Sequence, residues 1–392
     1  MNSALSGIRV LEMANVISGP YAAMLLADMG ADVIKIEAPG SGDVFRVWEG
    51  EQNQVAPTFA AFNRGKRSVT IDAHIAAGQE AYLRLAQSVD VVIENFRPGV
   101  LEKFNIGYER VKQDNPAVVY CSITGMGSTG QYRGRPTYDA IAQAVSGLWS
   151  QFTDLQNPEA VGPATCDQLT GMFAAHGILA SLVRRSRDGL GQRLEVSMLG
   201  AALAFQTVAV ADYTMAGRVA DRRSRARRSQ SYAFLASDDL PIAVHLSTPP
   251  KFWKGLLDSL GKTELLDDPR FATKSQRIIN YDQLHEILQA VFGTRTRAEW
   301  LAVLHANDVP AGPINTIAEA IDDAQVQASG LIRSFGKEGR ACKLVSIPVV
   351  FADAFEASAA PPPRIGEHTD EILTNLGYSR QDIKKLRREG AI

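Results

Sequence analysis

The chain has little of what several common function classes require. Its 392 residues hold three cysteines, Cys121, Cys166 and Cys342, odd in number and widely spaced. They form neither a disulfide framework nor a ligand set, and reduced thiols in a cytoplasmic protein account for them. Six histidines occur without an HExxH or H-x-x-H pattern, so no metal is expected. Apolar runs such as 33–36 and 91–93 are too short to cross a membrane, and residues 1–7 lack the layout of a secretory leader. A net charge of −2 argues against a dedicated nucleic-acid binder. The G-x-G-x-x-G of dinucleotide folds is missing as well. Between the first strand and helix the chain reads Asn15-Val-Ile-Ser-Gly-Pro20, where only Gly19 permits close backbone approach and Pro20 removes an amide. That speaks against an oxidoreductase, although Glu37 ends the second strand where a ribose partner would sit.

What is present is an ordinary soluble composition, 45% hydrophobic and 21% charged, in a chain long enough for two structural units. Residues 8–12, 31–37, 68–71, 90–94 and 117–123 read as strands, separated by helical stretches at 21–29 and 77–87. Such alternation predicts an α/β fold with a parallel sheet covered by helices on both faces. Further helices are expected at 137–149 and 165–184, and a short strand at 193–197. Six arginines between 218 and 228 mark a polar linker of about 215–230. A smaller, largely helical domain follows at 231–309, and a second connection runs over about 310–365. The large domain is thus expected to comprise 1–214 and 315–392.

Several ordered motifs carry a resemblance. Gly7-Ile-Arg-Val-Leu11, Gly19-Pro20, Gly30-Ala-Asp-Val-Ile-Lys-Ile-Glu37 and Gly40-Ser-Gly-Asp43 open the series. Asn63-Arg-Gly-Lys-Arg-Ser68, Val92-Ile-Glu-Asn-Phe-Arg-Pro-Gly99 and Gly134-Arg-Pro-Thr-Tyr-Asp139 continue it. Asp167, Gly189-Leu-Gly-Gln192, Val196-Ser-Met198, Val309-Pro-Ala-Gly-Pro313 and Gly366-Glu-His-Thr-Asp370 complete it. Together they resemble class III CoA transferases, the family of formyl-CoA and carnitine CoA transferases that also includes α-methylacyl-CoA racemases. The resemblance implies a Rossmann-like large domain, a smaller α+β domain and an interlocked homodimer.

It also implies chemistry. In the family's transferases an aspartate at the place of Asp167 attacks the donor thioester, giving an aspartyl-acyl anhydride and then an aspartyl-CoA thioester. Read from the residues alone, Asp167 serves equally well as the cap of a helix over 168–182. Cys166 beside it has no histidine nearby in sequence to activate it. Racemases of the family place a histidine where this chain has Tyr138, and a phenol is a poor base at neutral pH. Racemase therefore stands as the alternative, with a non-catalytic CoA-binding protein as a third reading. Tyr138 is a candidate hydrogen-bond donor, and Asp139 a candidate orienting acid. By family position Val16 and Ile17 lie beside the pantetheine. Asn95, Phe96, Val100, Lys103 and Phe104 line the adenine and phosphate end, and Lys66 and Arg67 fall in the same CoA-binding region. The substrates are an acyl-CoA and a small carboxylic or dicarboxylic acid, with CoA carried by substrate and no tightly bound cofactor. Two further features stand apart from the family. Ala38-Pro39 replaces a common arginine, which makes the cluster at 218–228 a candidate phosphate binder. The region 235–250 has no glycine, so His245, Ser247 and Thr248 become candidates to face substrate.

Overall fold

The computed structural model describes residues 3–48, 55–337, 340–352 and 359–392. Parts of the second connection, 338–339 and 353–358, lie outside the described residues. The chain forms two compact units: residues 1–149, 160–207 and 330–392 make the first, and 150–159 and 208–329 the second.

The first unit is built on β1 (Arg9–Met13), β2 (Asp32–Glu37), β3 (Lys66–Thr70), β4 (Val91–Glu94), β5 (Val119–Thr124) and β6 (Gln192–Ser197). Among the described residues these make one six-stranded sheet in the order β3-β2-β1-β4-β5-β6, with every neighbouring pair parallel. Alternate strand residues supply two apolar faces. Val10, Val33, Val91, Val119 and Cys121 pack with Ala22, Leu26, Ala174 and Ile178 from helices α1 (Ser18–Asp28) and, later in the chain, Thr165–Asp188. Leu11, Ile34, Val69, Val92 and Tyr120 pack on the other face with Ala81 and Leu85, and with Ile383 and Leu386 from the C-terminal helix. The α/β expectation is met.

Strand order reverses between β1 and β4. At such a switch point the loops leaving the carboxyl ends of adjacent strands part and open a crevice. The loop from β1 into α1 therefore lies on one side of the crevice, and the loop from β4 on the other.

One helix start differs from expectation, and a second decides between two readings of Asp167. Helix α1 begins at Ser18, two residues before Pro20. This costs no hydrogen bond, because the first four amides of a helix have no intrahelical acceptor. The long helix begins at Thr165 after Ala164, so Asp167 lies inside its first turn and is not its cap.

The second unit holds an antiparallel three-stranded sheet, Ser231–Leu235, Pro241–His245 and Ala311–Pro313. Helices such as Tyr281–Phe292 and Arg297–Ala306 close over it around an aromatic core of Tyr232, Phe234, Phe292 and Trp300. The arginine-rich stretch is not an open linker. Ser224–Ser229 is helical, and carboxylates take up most of its charge.

Candidate active site

Asp167 comes from the long helix Thr165–Asp188 and is 7% exposed. The amide that needs a cap there is its own, and Asp139 supplies it: Asp139 Oδ1 accepts the Asp167 backbone N–H at 3.0 Å. Asp139 is in turn held by the Gln143 side chain, which also donates to Pro163 O at 3.1 Å. Facing these is the N-terminus of α1, where the Ser18 hydroxyl and backbone N–H favour the ionised Asp167 carboxylate. The positive end of the α1 dipole points the same way. Glycine lets the two helices approach this closely, because a Cβ on Gly171 would lie 2.8 Å from Ser18 O and 2.9 Å from the Tyr21 ring.

The electrostatics of Asp167 are dominated by burial, which raises its pKa, and the Asp139 charge raises it further. The Ser18 hydroxyl and amide oppose both, leaving the carboxyl at about 7. A buried carboxylate titrating near neutrality is a common mark of a working group. Its neighbour Cys166 is fully buried, and burial followed by the two aspartate charges pushes the thiol up to about 12. No thiolate is available there at neutral pH.

Asp167 opens into a cleft of about 230 Å³ at the strand-order reversal. Asn15, Val16 and Ser18 line it from the β1 side, Asn95, Phe96 and Arg97 from the β4 side, and Arg135, Thr137 and Tyr138 from above. Gly125 lets the last segment close in, since a Cβ there would lie 2.3 Å from that of Thr137. Val16 has φ of +70°, a left-handed conformation that a β-branched residue adopts at a cost of about 1–3 kcal/mol. Asn95 grips the preceding residue, accepting from Asn15 N at 3.0 Å and donating to Asn15 O at 2.7 Å.

The CoA-transferase family III model matches residues 5–369. This chain belongs to CoA-transferase family III. It is 35% identical over 394 residues to succinyl-CoA:glutarate CoA-transferase of Mus musculus, covering 99% of this chain and 90% of that protein. It is 36% identical to succinate–glutarate CoA-transferase of Agrobacterium fabrum, with 95% of each covered. A CaiB/BaiF family protein from Brucella suis superposes with TM-score 0.85 at 34% identity, over 96% of this chain and all of that one.

Within this family III transferase the structure brings Val16, Asn95, Phe96, Tyr138 and Asp167 into one cleft, with Asp139 directly behind Asp167. Tyr138 is 70% exposed and immediately precedes the helix Asp139–Val145. Other expected residues do not line that cleft. Lys66 is buried, with its ammonium 2.6 Å from Glu12, 2.8 Å from Pro20 O and 2.9 Å from Asn63, so all three of its donors are taken. Arg67 is bound to Asp32 and Glu371. Ile17 packs inward with Phe45 and Phe59. Val100 and Lys103 bound the short helix that follows the cleft loop, and Phe104 meets His74 edge-on at 4.9 Å. Glu37 is no ribose partner: both its oxygens are held by Arg46 at 2.6 Å, and Ser68 donates to one of them.

In the second unit Arg218 and Arg228 pair with Asp212, Arg222 with Asp154, Arg223 with Asp282, and Arg227 with Asp221 and Asp282. His245 shares a hydrogen bond with Ser231, and Thr248 accepts one from Lys274. Among the described residues no acidic, histidine or cysteine cluster could hold a metal ion. No described helix is long and apolar enough to span a membrane. Sequence reading passed over Ser18, Arg97 and Arg135. All three stand inside or beside motifs already noted, and a serine opening a helix opposite a suspected nucleophile was the available signal for the first.

Proposed function

We propose that this protein transfers CoA from an acyl-CoA donor, such as succinyl-CoA, to a small dicarboxylic acid, with Asp167 as the covalent carrier. The observation that carries this reading is the desolvated Asp167 carboxylate, which opens into the cleft beside Ser18 at the N-terminus of α1. In the proposed sequence an Asp167 oxygen attacks the thioester carbonyl, the C–S bond breaks, and CoA leaves as thiolate. The thiolate then attacks the Asp167 carbonyl of the anhydride, releasing the donor acid and leaving an aspartyl-CoA thioester. The acceptor carboxylate repeats the first exchange from its own side, and the thiolate takes the acceptor acyl group, restoring Asp167. No proton is gained or lost overall, so no general base is needed. A carboxylate is a weak nucleophile towards a thioester, and desolvation with fixed placement supplies reactivity.

The names of the mouse and Agrobacterium relatives support succinate and glutarate as exchange partners. Arg97 and Arg135, both exposed at the cleft, suit anionic substrates. Asn95, Phe96 and Val16 are the proposed CoA contacts. We assign Tyr138 as a hydrogen-bond donor to substrate and Asp139 as the orienting acid. An interlocked homodimer is proposed as well, supported by apolar residues left exposed on the first unit, among them Ile141, Val145, Leu203 and Phe205. A cytoplasmic setting suits its three free thiols.

Succinyl-CoA incubated with a panel of acids and read by mass spectrometry tests the reading. Glutaryl-CoA and free succinate are the expected products, absent in Asp167→Ala. Turnover by that variant would overturn the carrier role. Deuterium exchange at the α-carbon with no second acid would favour a racemase.

A further inference from the structure

Three motifs noted in the sequence, around Lys35, Asp43 and Lys66, take no part in the chemistry above, yet they meet beneath the cleft. Glu12 and Lys35 are register partners on β1 and β2. Lys35 Nζ lies 2.7 Å from Glu12, 2.9 Å from Asp43 and 2.7 Å from Ala14 O. Lys66 Nζ lies 2.6 Å from the other Glu12 oxygen, 2.9 Å from Asn63 and 2.8 Å from Pro20 O. All four charged side chains are completely buried. Buried ion pairs of this kind are seldom kept for stability, because apolar residues of similar size do as well or better.

What these charges do is hold a loop. Ala14 O is bound by Lys35, Asn15 by Asn95 through both its backbone groups, Val16 N–H by Asp43 Oδ1 at 3.4 Å, and Pro20 O by Lys66. The same Asp43 oxygen accepts Phe45 N–H at 3.0 Å. Between these anchors stand the left-handed Val16 and then Ser18, whose hydroxyl and amide meet Asp167. A strained residue fixed on both sides by buried groups marks a geometry that its surroundings impose.

We propose that Asp43, backed by Lys35, is a positioning residue of the transfer reaction: it fixes the loop from Ala14 to Pro20 so that Ser18 meets the Asp167 carboxylate. The inference rests on Asp167 being the acyl carrier. It predicts that Asp43→Ala lowers kcat by about 10²-fold, the cost of a misplacement near 1 Å, with KM for the donor little changed. Asp43→Asn keeps an oxygen below Val16 N–H but turns its amide nitrogen towards Lys35, and restores part of kcat.

The pH profile separates positioning from a merely structural role. The Ser18 hydroxyl and amide hold the Asp167 pKa down. Displacing them in Asp43→Ala therefore moves the rising limb of kcat to higher pH by about one unit, and Asp43→Asn returns it. A fall in kcat with the limb unmoved, or no rescue by asparagine, overturns the proposal. Should Asp43→Ala not fold, Lys66→Gln reads the same loop from its Pro20 end and is expected to shift the limb in the same direction. An unmoved limb there overturns the proposal equally. Asp167→Ala distinguishes the two levels. If it turns over, the carrier reading falls. If it is inactive while Asp43→Ala keeps the wild-type kcat and limb, only the positioning role falls.

Discussion

Asp139 Oδ1 accepts the backbone N–H of Asp167 at 3.0 Å, and its charge bears on the carboxyl of that same residue. One side chain therefore caps the long helix and helps raise the pKa of the proposed nucleophile. Asp139→Asn retains an oxygen for the cap and removes the charge. The rising limb of kcat is expected near pH 7 in the wild type and at lower pH in this variant, and thermal unfolding is expected to stay close to wild type. A pH–rate profile beside a melting curve checks both.

Burial of Asp167 also links stability to pH. Its carboxyl sits at about 7 in the folded chain against 3.8 unfolded, so the native state holds this proton longer. The contribution is full below pH 3.8 and is lost as pH rises through 7, by on the order of 4 kcal/mol. Asp167→Asn cannot ionise. Its unfolding midpoint is expected above that of wild type at pH 8 and close to it at pH 4, as urea titrations at the two pH values would show.

The Ser18–Asp167 approach depends on Gly171. An alanine there places Cβ 2.8 Å from Ser18 O, and overpacking of this kind costs about 1–3 kcal/mol. Gly171→Ala is expected to fold with a lowered melting point and to lose more in kcat than in KM, because α1 and Ser18 are pushed away from Asp167. Steady-state kinetics on the folded fraction decides it.

Five of the six arginines between 218 and 228 are spent on carboxylates of the second unit. Exposed pairs contribute about 0.2–1 kcal/mol each. Arg223→Ala, which leaves Asp282 to Arg227 alone, is expected to lower stability by no more than that amount and to leave KM for CoA esters unchanged. A rise of several-fold in KM would return these residues to the phosphate site.

Much of the fold was legible because strand period and helix period alternate cleanly through the first 125 residues. The smaller domain reads as largely helical in sequence, and Tyr281–Phe292 and Arg297–Ala306 are among its helices. What the sequence left open at Asp167 was a matter of one helical turn. An aspartate just before a helix is a cap, whereas an aspartate inside its first turn needs a cap for itself, and propensity does not separate the two. Local sequence gave no sign that Lys66 would be enclosed, since its partners Glu12 and Pro20 lie more than forty residues away. The pairing of Arg222 with Asp154 and of Arg223 with Asp282 was hidden for the same reason, since both carboxylates are distant in sequence. Ser18 escaped attention because its role exists only once α1 and the long helix are packed together.

The most direct test of the central claim is to trap the carrier. The enzyme is incubated with succinyl-CoA without acceptor, quenched with hydroxylamine, digested and mapped by mass spectrometry. The expected result is a hydroxamate on the peptide bearing Asp167, formed in wild type and missing in Asp167→Asn. Continued turnover with that peptide unmodified, or with the label on another residue, would contradict the account.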